Sequence, residues 1–411
     1  MSKIILVECE LKGGKGHHYD HLVENSFHYK NSGEIFWVLN KDFKKDNLYI
    51  PEHVKVHNII DSGDRKLLIQ NPKNILKILY LSFKNFIFSY FFLISNLKLN
   101  KSFLKYIIKN YFTFPKYFSS FCKIFRKLDL KKDDKIIFQT SRINEIELAH
   151  ILLLLNLGVE IHLRIIQLHR KKKLSKVNKL FKNFLENDDL FRKVYVYTET
   201  DYQKDEIKKL TNIDIELFYN NLTFSEKDLN KTKYTIGILG ESRFDKGFYK
   251  IPELIKNLNS KILNKINFII QINNCPDSLS YVKSEINELS TQYNNIKIIN
   301  GYINFFEYRE LLKKIDIIPL LHELDQLKYC GSGIVFSSMV NEIPMIIPKG
   351  AIYVKKFYAY QSFIEAESIN DYSSSVIEIV DNYKKFIEET KKQSAFYKKK
   401  LLNDPLNNRI M

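Results

Sequence analysis

Three stretches of the chain place cations or free backbone amides directly after a strand-like run, where an open α/β protein presents groups to a ligand. In "YTIGILGESRFDKGF", Arg243 and Lys246 stand three apart, just before Gly247. A guanidinium fork holds two oxygens at once and a neighbouring ammonium adds a second cation, a pairing suited to a diphosphate. The following "FYKIPELI" reads as a helix start, whose dipole favours an anion. The plain alternative is a pair of solvated loop cations. After "DIIPLL", Gly331-Ser332-Gly333 precede the apolar run "IVFSSMV", so Ser332, Gly333 and Ile334 offer the amides of a second helix start. Ser332 there either caps the helix or touches phosphate. In "CELKGGKGHHYDH", Gly13, Gly14 and Gly16 let backbone approach a ligand closely, and His17 and His18 open the next helix.

Several familiar chemistries do not fit. The glycine stretch is not G-x-G-x-x-G, and no acid follows the second strand in the dinucleotide manner. Adjacent histidines on a helix cannot both face one metal. No Asp-x-Asp stands at a strand end, so no metal-bound diphosphate is expected. Two other stretches carry polar groups near strand ends. "IIFQTSRINEIE" offers Thr140, Arg142 and Glu145; "VEIHLRIIQLHRKKK" offers His162, Arg164 and His169. His162 alternates with apolar neighbours and reads as a core histidine, whereas His169 follows the strand and precedes cations.

The elements that must position these groups alternate. "KIILVEC", "EIFWVLN", "DKIIFQT", "VEIHLRII" and "KVYVYT" read as strands of a first half; "YTIGILG", "INFIIQIN", "IKIING", "DIIPLL" and "IPMIIP" as those of a second. Helical runs such as "EIELAHILLLLN" and "LSYVKSEINELSTQY" lie between them. Alternation of this kind predicts α/β architecture: two doubly wound, Rossmann-like domains facing each other across a cleft. The polar stretch "NNLTFSEKDLNKTK" sets the boundary, giving domains of 1–228 and 229–411, the last helix being a candidate to pack back on the N-terminal domain.

Length agrees, since 411 residues exceed one ordinary core. The net charge of +17 is lysine-driven, 55 Lys against 9 Arg, and is uneven: +12 over residues 1–228 and +5 over the rest. Residues 65–128 contain no acid at all, against 13 basic and 16 aromatic side chains. Their most apolar run, "NFIFSYFFLISNL", is too short to span a bilayer but fits an amphipathic helix lying on an anionic membrane. Core helices with solvated lysines are the alternative. Cys9, Cys122, Cys275 and Cys330 show no metal spacing and read as free thiols of a reducing compartment. "MSKIILVECELKGG" lacks the pattern of a signal peptide, so a cytoplasmic protein, peripheral to the inner membrane face, is expected.

Taken together, "LGESRFDKGF", "GYINFFEYRELLKKIDIIPLL", the Ser-Gly helix start and the N-terminal glycine loop resemble GT-B glycosyltransferases of the large "group 1" type. The resemblance implies transfer of a sugar from a nucleotide-diphosphate sugar to a glycan or lipid-linked acceptor, in surface polysaccharide biosynthesis, without metal or other cofactor and without nucleic acid. It implies that Arg243 and Lys246 neutralise the diphosphate, and that Ser332, Gly333 and Ile334 hold the distal phosphate. Gly14 and Gly16 would let the first loop close over the donor, with His17 and His18 beside it. A histidine after a later N-domain strand is the usual catalytic group, which selects His169; Thr140, Arg142 and Glu145 fall on the acceptor side. The chain departs from the pattern where two glutamates are customary: Tyr329 and Ser337 stand there, and Glu342 replaces a glycine. A sugar-nucleotide epimerase or hydrolase on the same fold, or a basic nucleic-acid-binding protein, are the alternatives.

Overall fold

A computed structural model describes residues 2–60 (without 10, 12–16 and 45–47), 124, 127–165 (without 143, 144, 147, 150, 151 and 153–157), 193–324 (without 212–214, 221, 223 and 228–230) and 332–411 (without 356). The chain forms two units. The first comprises Met1–Glu199, Gln203–Phe218 and Pro405–Met411, the second Thr200–Tyr202 and Tyr219–Asp404. The basic, acid-free segment lies almost wholly outside the described residues. Among those described, no helix is long and apolar enough to cross a membrane.

Among the described residues of the first unit, seven strands form one parallel sheet: β1 (Lys3–Glu8), β2 (Glu34–Asn40), β3 (Val54–Ile60), β4 (Lys135–Phe138), β5 (Glu160–Ile165), β6 (Val194–Thr198) and β7 (Glu216–Leu217). Their order is β3-β2-β1-β4-β5-β6-β7, so it reverses direction between β1 and β4. The central strands are near-continuous apolar runs, as burial on both faces requires: Ile4, Ile5, Leu6, Ile137, Phe138 and Ile161 are fully enclosed. Helix α1 (His17–Tyr29) follows β1 and buries Tyr19, Leu22 and Val23, while α2 (Asp201–Thr211) follows β6. His162 is wholly buried in β5, stacked on Tyr195 and Tyr197 with its Nδ1 3.0 Å from the Tyr197 hydroxyl, so it is a core histidine. The terminal Pro405–Met411 is held by an ion pair of Arg409 with Glu216 and by Tyr29, whose hydroxyl donates to Asn407 at 2.7 Å.

The second unit repeats the plan. Its elements are β8 (Tyr234–Ile238), α3 (Ile251–Lys256), β9 (Ile266–Ile272), α4 (Ser280–Gln292), β10 (Ile296–Asn300), α5 (Phe305–Lys314), β11 (Ile318–Pro319), α6 (Gly333–Val340), β12 (Met345–Pro348), β13 (Phe363–Ala366), α7 (Ile369–Asp381) and α8 (Tyr383–Leu402). The parallel sheets β10-β9-β8 and β11-β12-β13 meet through the Ile236–Ile317 bridge, where Gly237 N–H donates to the Ile317 carbonyl at 2.9 Å. The strand order again reverses at this junction, between β8 and β11. Asp316 locks its lower end: the buried carboxylate accepts from the Thr235 amide, the Tyr383 hydroxyl and Lys231. The core around it gathers Ile236, Phe268, Ile270, Ile317 and Ile346 from the sheet with Leu254, Ile286, Val376 and Ile387 from helices. Each such side chain contributes about 1.5–3 kcal/mol by leaving water.

The boundary expected at 228/229 moves to 218/219. The polar stretch after Phe218 is not a free linker, because its side chains satisfy groups of the second unit. Lys227 Nζ donates to the carbonyls of Leu312 and Lys313, the open C-terminal end of α5, and its amide donates to Glu342. Burial there pushes the Lys227 ammonium down to about 8.

Candidate functional site

Ligands of such sheets bind outside the carboxyl ends of the strands where the order reverses. Each unit has one such point, and the chemistry-bearing residues collect at both.

In the second unit the chain leaves β8 through a loop stitched to β9. Gln271 accepts from the Gly240 amide and donates to the Gly301 carbonyl, both at 2.9 Å, and Ser242 exchanges hydrogen bonds with the backbone of Asn273. A 3₁₀ turn over Phe244–Lys246 ends at Gly247, whose φ is 70°. A Cβ at Gly247 would stand 2.0 Å from the carbonyl oxygen of Leu321, so only glycine lets the turn sit on the end of β11. The Glu323 amide donates to the Asp245 carbonyl at 3.0 Å and the Tyr249 hydroxyl to the Glu323 carboxylate at 2.7 Å, which fastens the same seam. Helix α3 begins only at Ile251, five residues beyond Lys246, so its first amides are not adjacent to the cations in sequence as "FYKIPELI" implied.

The turn brings together an open pocket of about 450 Å³, adjoining solvent included, lined by Gly240, Lys246, Gln271, Leu321, His322 and Ile334. Lys246 and Ile334, 88 positions apart, thus border one space. Ser332 stands at the N-cap of α6 in extended conformation, and its hydroxyl makes no capping bond. Gly333 opens the helix. Arg243 is engaged otherwise than its spacing implied. Its guanidinium makes a two-pronged pair with Asp245, 2.9 Å on each prong, and a third bond to Glu241 at 2.7 Å. It is 45% exposed, so these contacts are exchangeable with a ligand's oxygens.

His322 escaped the sequence reading. It stands three residues after β11, and its Nε2 lies 2.8 Å from Lys246 Nζ. Burial, with Lys246, Arg243 and Lys250 nearby, holds the imidazole well below its usual range, so the ring is neutral at physiological pH. The only signal for it was its place just past a strand end; nothing in the spacing links it to a lysine 76 positions away.

In the first unit, β1 ends at Glu8 and β4 is followed by Gln139-Thr140-Ser141. His18, on the first turn of α1, reaches both ends: its Nδ1 is 2.9 Å from Thr140 Oγ1 and 3.4 Å from a Glu8 carboxylate oxygen. Glu145 accepts from the Arg142 amide at 2.9 Å. Burial chiefly, with Glu8 nearby, pushes Glu145 up to about 7; burial, with Glu24, does the same for Asp20. Asp20 Oδ1, Gln139 Nε2, Ser141 Oγ and Arg142 Nε are enclosed without a hydrogen-bond partner. His17 opens α1. Gly13, Gly14, Gly16, Gly331 and His169 lie outside the described residues. Among the described residues no three His, Cys, Asp or Glu side chains gather as a metal ion would need.

No family model and no curated protein matches the chain. Solved structures resemble it along nearly its whole length. TarM, known from S. aureus, superposes with a TM-score of 0.59 at 14% identity, covering 100% of this chain and 99% of TarM. Sucrose-phosphate synthase from Thermosynechococcus elongatus gives 0.57 at 9% identity, covering 98% and 95%. HepE from Anabaena, in complex with UDP, gives 0.56 at 10% identity, covering 97% and 95%. The chain therefore has the GT-B fold, two Rossmann-like domains in tandem, as the sequence motifs implied.

Two outcomes follow from this geometry. Gly247→Ala should lower stability by at least about 2 kcal/mol, since its Cβ meets backbone rather than a flexible side chain; a melting temperature within 2 °C of wild type would contradict the packing. The carboxyls of Glu145 and Asp20, protonated more readily folded than unfolded, stabilise the fold below about pH 4. That contribution fades as pH rises through about 7. Glu145→Gln, which keeps the acceptor for Arg142, should raise the melting temperature at pH 7.5 and leave it nearly unchanged at pH 4.5; equal shifts at both would refute a buried, protonated Glu145.

Proposed function

We propose that the chain is a glycosyltransferase that moves a sugar from a nucleotide-diphosphate sugar to a glycan or lipid-linked acceptor of a cell-surface polymer. The observation that carries this reading is the pocket at the β8–β11 reversal, where Lys246, His322 and the first turn of α6 border one space. A diphosphate is the ligand whose charge and size match a cation, an uncapped helix start and a second exchangeable cation, Arg243, on the neighbouring turn. Similar structures support a uridine nucleotide: HepE was solved with UDP, and TarM with UDP and α-GlcNAc-glycerol.

In this reading the bond between the anomeric carbon and the diphosphate oxygen breaks, and negative charge grows on the leaving nucleotide. Arg243, Lys246 and the amides around Ser332, Gly333 and Ile334 stabilise that charge without a metal ion. The acceptor is assigned to the first unit, where His18, Thr140, Arg142 and Glu145 supply donors and acceptors for hydroxyl groups. His169 remains the candidate base, and Gly14, Gly16, His17 and His18 the candidate ligand-contacting loop of the first unit. Residues 65–128, basic, aromatic and free of acid, would dock the chain on an anionic membrane from the cytoplasmic side.

The donor reading is tested by thermal shift against UDP, GDP, ADP, CMP and dTDP, in EDTA. UDP at 100 times its dissociation constant should add about 2.7 kcal/mol, and Arg243→Ala should remove most of the shift. No stabilisation of folded wild type by any nucleotide would end the transferase reading; stabilisation only after a divalent ion is restored would end metal independence. Docking is tested by sedimentation with phosphatidylserine vesicles in 0.15 M salt. Wild type should sediment and a Phe86, Phe91, Phe92 triple serine variant should not; equal sedimentation of the two would sink it.

A further inference from the structure

The contact between Lys246 and His322 constrains the imidazole more tightly than its burial does. An ammonium has three N–H donors and no acceptor. At 2.8 Å from Lys246 Nζ, His322 Nε2 must therefore carry the lone pair. Neither an imidazolium nor the Nε2–H tautomer is compatible with that contact. The ring's single proton then sits on Nδ1. That nitrogen is enclosed and has no hydrogen-bond partner, on a residue that is only 9% exposed and lines the pocket. A buried N–H left unpaired costs on the order of 1–3 kcal/mol, and three cations, Lys246, Arg243 and Lys250, act on the same ring. The group that would complete the site is an oxygen acceptor, and among these cations a negatively charged one.

We propose that His322 is an uncharged donor to an anionic oxygen of the sugar donor's diphosphate, binding through Nδ1–H in the tautomer that Lys246 imposes. The inference rests on the donor-site reading above and deepens it. Because the ring carries no charge of its own, it adds a directed hydrogen bond without adding a cation to the pocket. It also makes Lys246 a positioning residue, because one of its N–H groups fixes the tautomer of the histidine. The diphosphate reaches Nδ1 as Arg243 exchanges Glu241 and Asp245 for ligand oxygens, so the two rearrangements are linked.

The test combines ¹⁵N-histidine NMR with calorimetric titration of UDP at pH 8. His322→Gln offers an amide oxygen in place of Nε2, so Lys246 keeps its acceptor while the Nδ1 donor is lost. His322→Asn does the opposite, placing an amide nitrogen near the Nδ1 position. Wild type should show the Nδ1–H tautomer, unchanged between pH 5.5 and 8, with the Nδ1 proton moving downfield when UDP is added. His322→Gln should weaken UDP about ten-fold or more, and His322→Asn should recover part of that loss. A ring that titrates between pH 5.5 and 8, an Nε2–H tautomer, or UDP affinity of the Gln variant within two-fold of wild type would overturn the proposal. Should either variant misfold, the tautomer and the UDP-dependent shift in wild type decide alone. UDP binding that Arg243→Ala abolishes and His322→Gln leaves intact would sink this inference only; failure of wild type to bind UDP would sink the donor-site reading with it.

Discussion

The pocket of the second unit depends on the approach of Gly247 to the carbonyl of Leu321. Residues 243–246 and 320–323 lie far apart in sequence, and each by itself is only a loop after a strand. A Cβ at position 247 would hold them apart by the width of a methyl group. Without it, the turn settles on the end of β11, and Lys246 arrives at His322. Everything polar along that seam follows: the Glu323 amide on the Asp245 carbonyl, Tyr249 on the Glu323 carboxylate, Lys250 on the Leu321 carbonyl at 3.3 Å. The glycine of "DKG" is therefore a packing requirement first, and its consequence is a binding geometry.

The two reversal points solve opposite electrostatic problems. In the second unit, cations in a partly open pocket are partnered by groups they can leave. Arg243 rests on Glu241 and Asp245 at the surface, where such pairs contribute roughly 0–1 kcal/mol. The diphosphate of the proposed function, with more charge in a fork-shaped array of oxygens, would displace them. In the first unit, carboxyls are buried beside one another and answer by holding protons. Glu145 and Asp20 are pushed up to about 7 because solvation is withdrawn and a further carboxylate stands nearby. The reversal point of the second unit keeps its charge; that of the first sheds it.

Much of the fold was legible because parallel sheets leave a strong imprint. Strands buried on both faces are short apolar runs, and "KIILVE", "EIFWVLN" and "INFIIQI" fall where such runs were read. Three strands escaped. In β3, "VKVHNII", interior residues are half-exposed and polar, so the run looked like loop; β7 spans two residues, and β13 holds a glutamate. Of the candidate site, sequence names the groups that announce themselves locally: Arg243 and Lys246 by type and spacing, Ser332 to Ile334 by a helix start; of these, Lys246 and Ile334 line the pocket. What escaped depends on tertiary contact. His322 is one histidine among ten until Lys246 is folded onto it. The partners of Arg243 stood two residues away on either side, yet spacing alone does not tell a carboxylate that folds back from one in solvent.

Where this chain departs from the GT-B motif it resembles, the structure gives the departures a physical sense. The place customarily taken by glycine holds Glu342 at φ 53°, a left-handed residue just past the end of α6. Such a conformation costs a side chain roughly 1–2 kcal/mol, and here it is over-determined by the surroundings. The Glu342 carboxylate accepts from the Lys227 amide, and its carbonyl accepts from Thr390. That carboxylate is thus committed to the segment entering the unit and is not available to a ribose. Ser337, at one customary glutamate position, is buried within α6. With no acid at 337 and the acid at 342 engaged, neither position offers a free carboxylate to the pocket of this unit. That is the setting in which an orphaned histidine N–H carries weight.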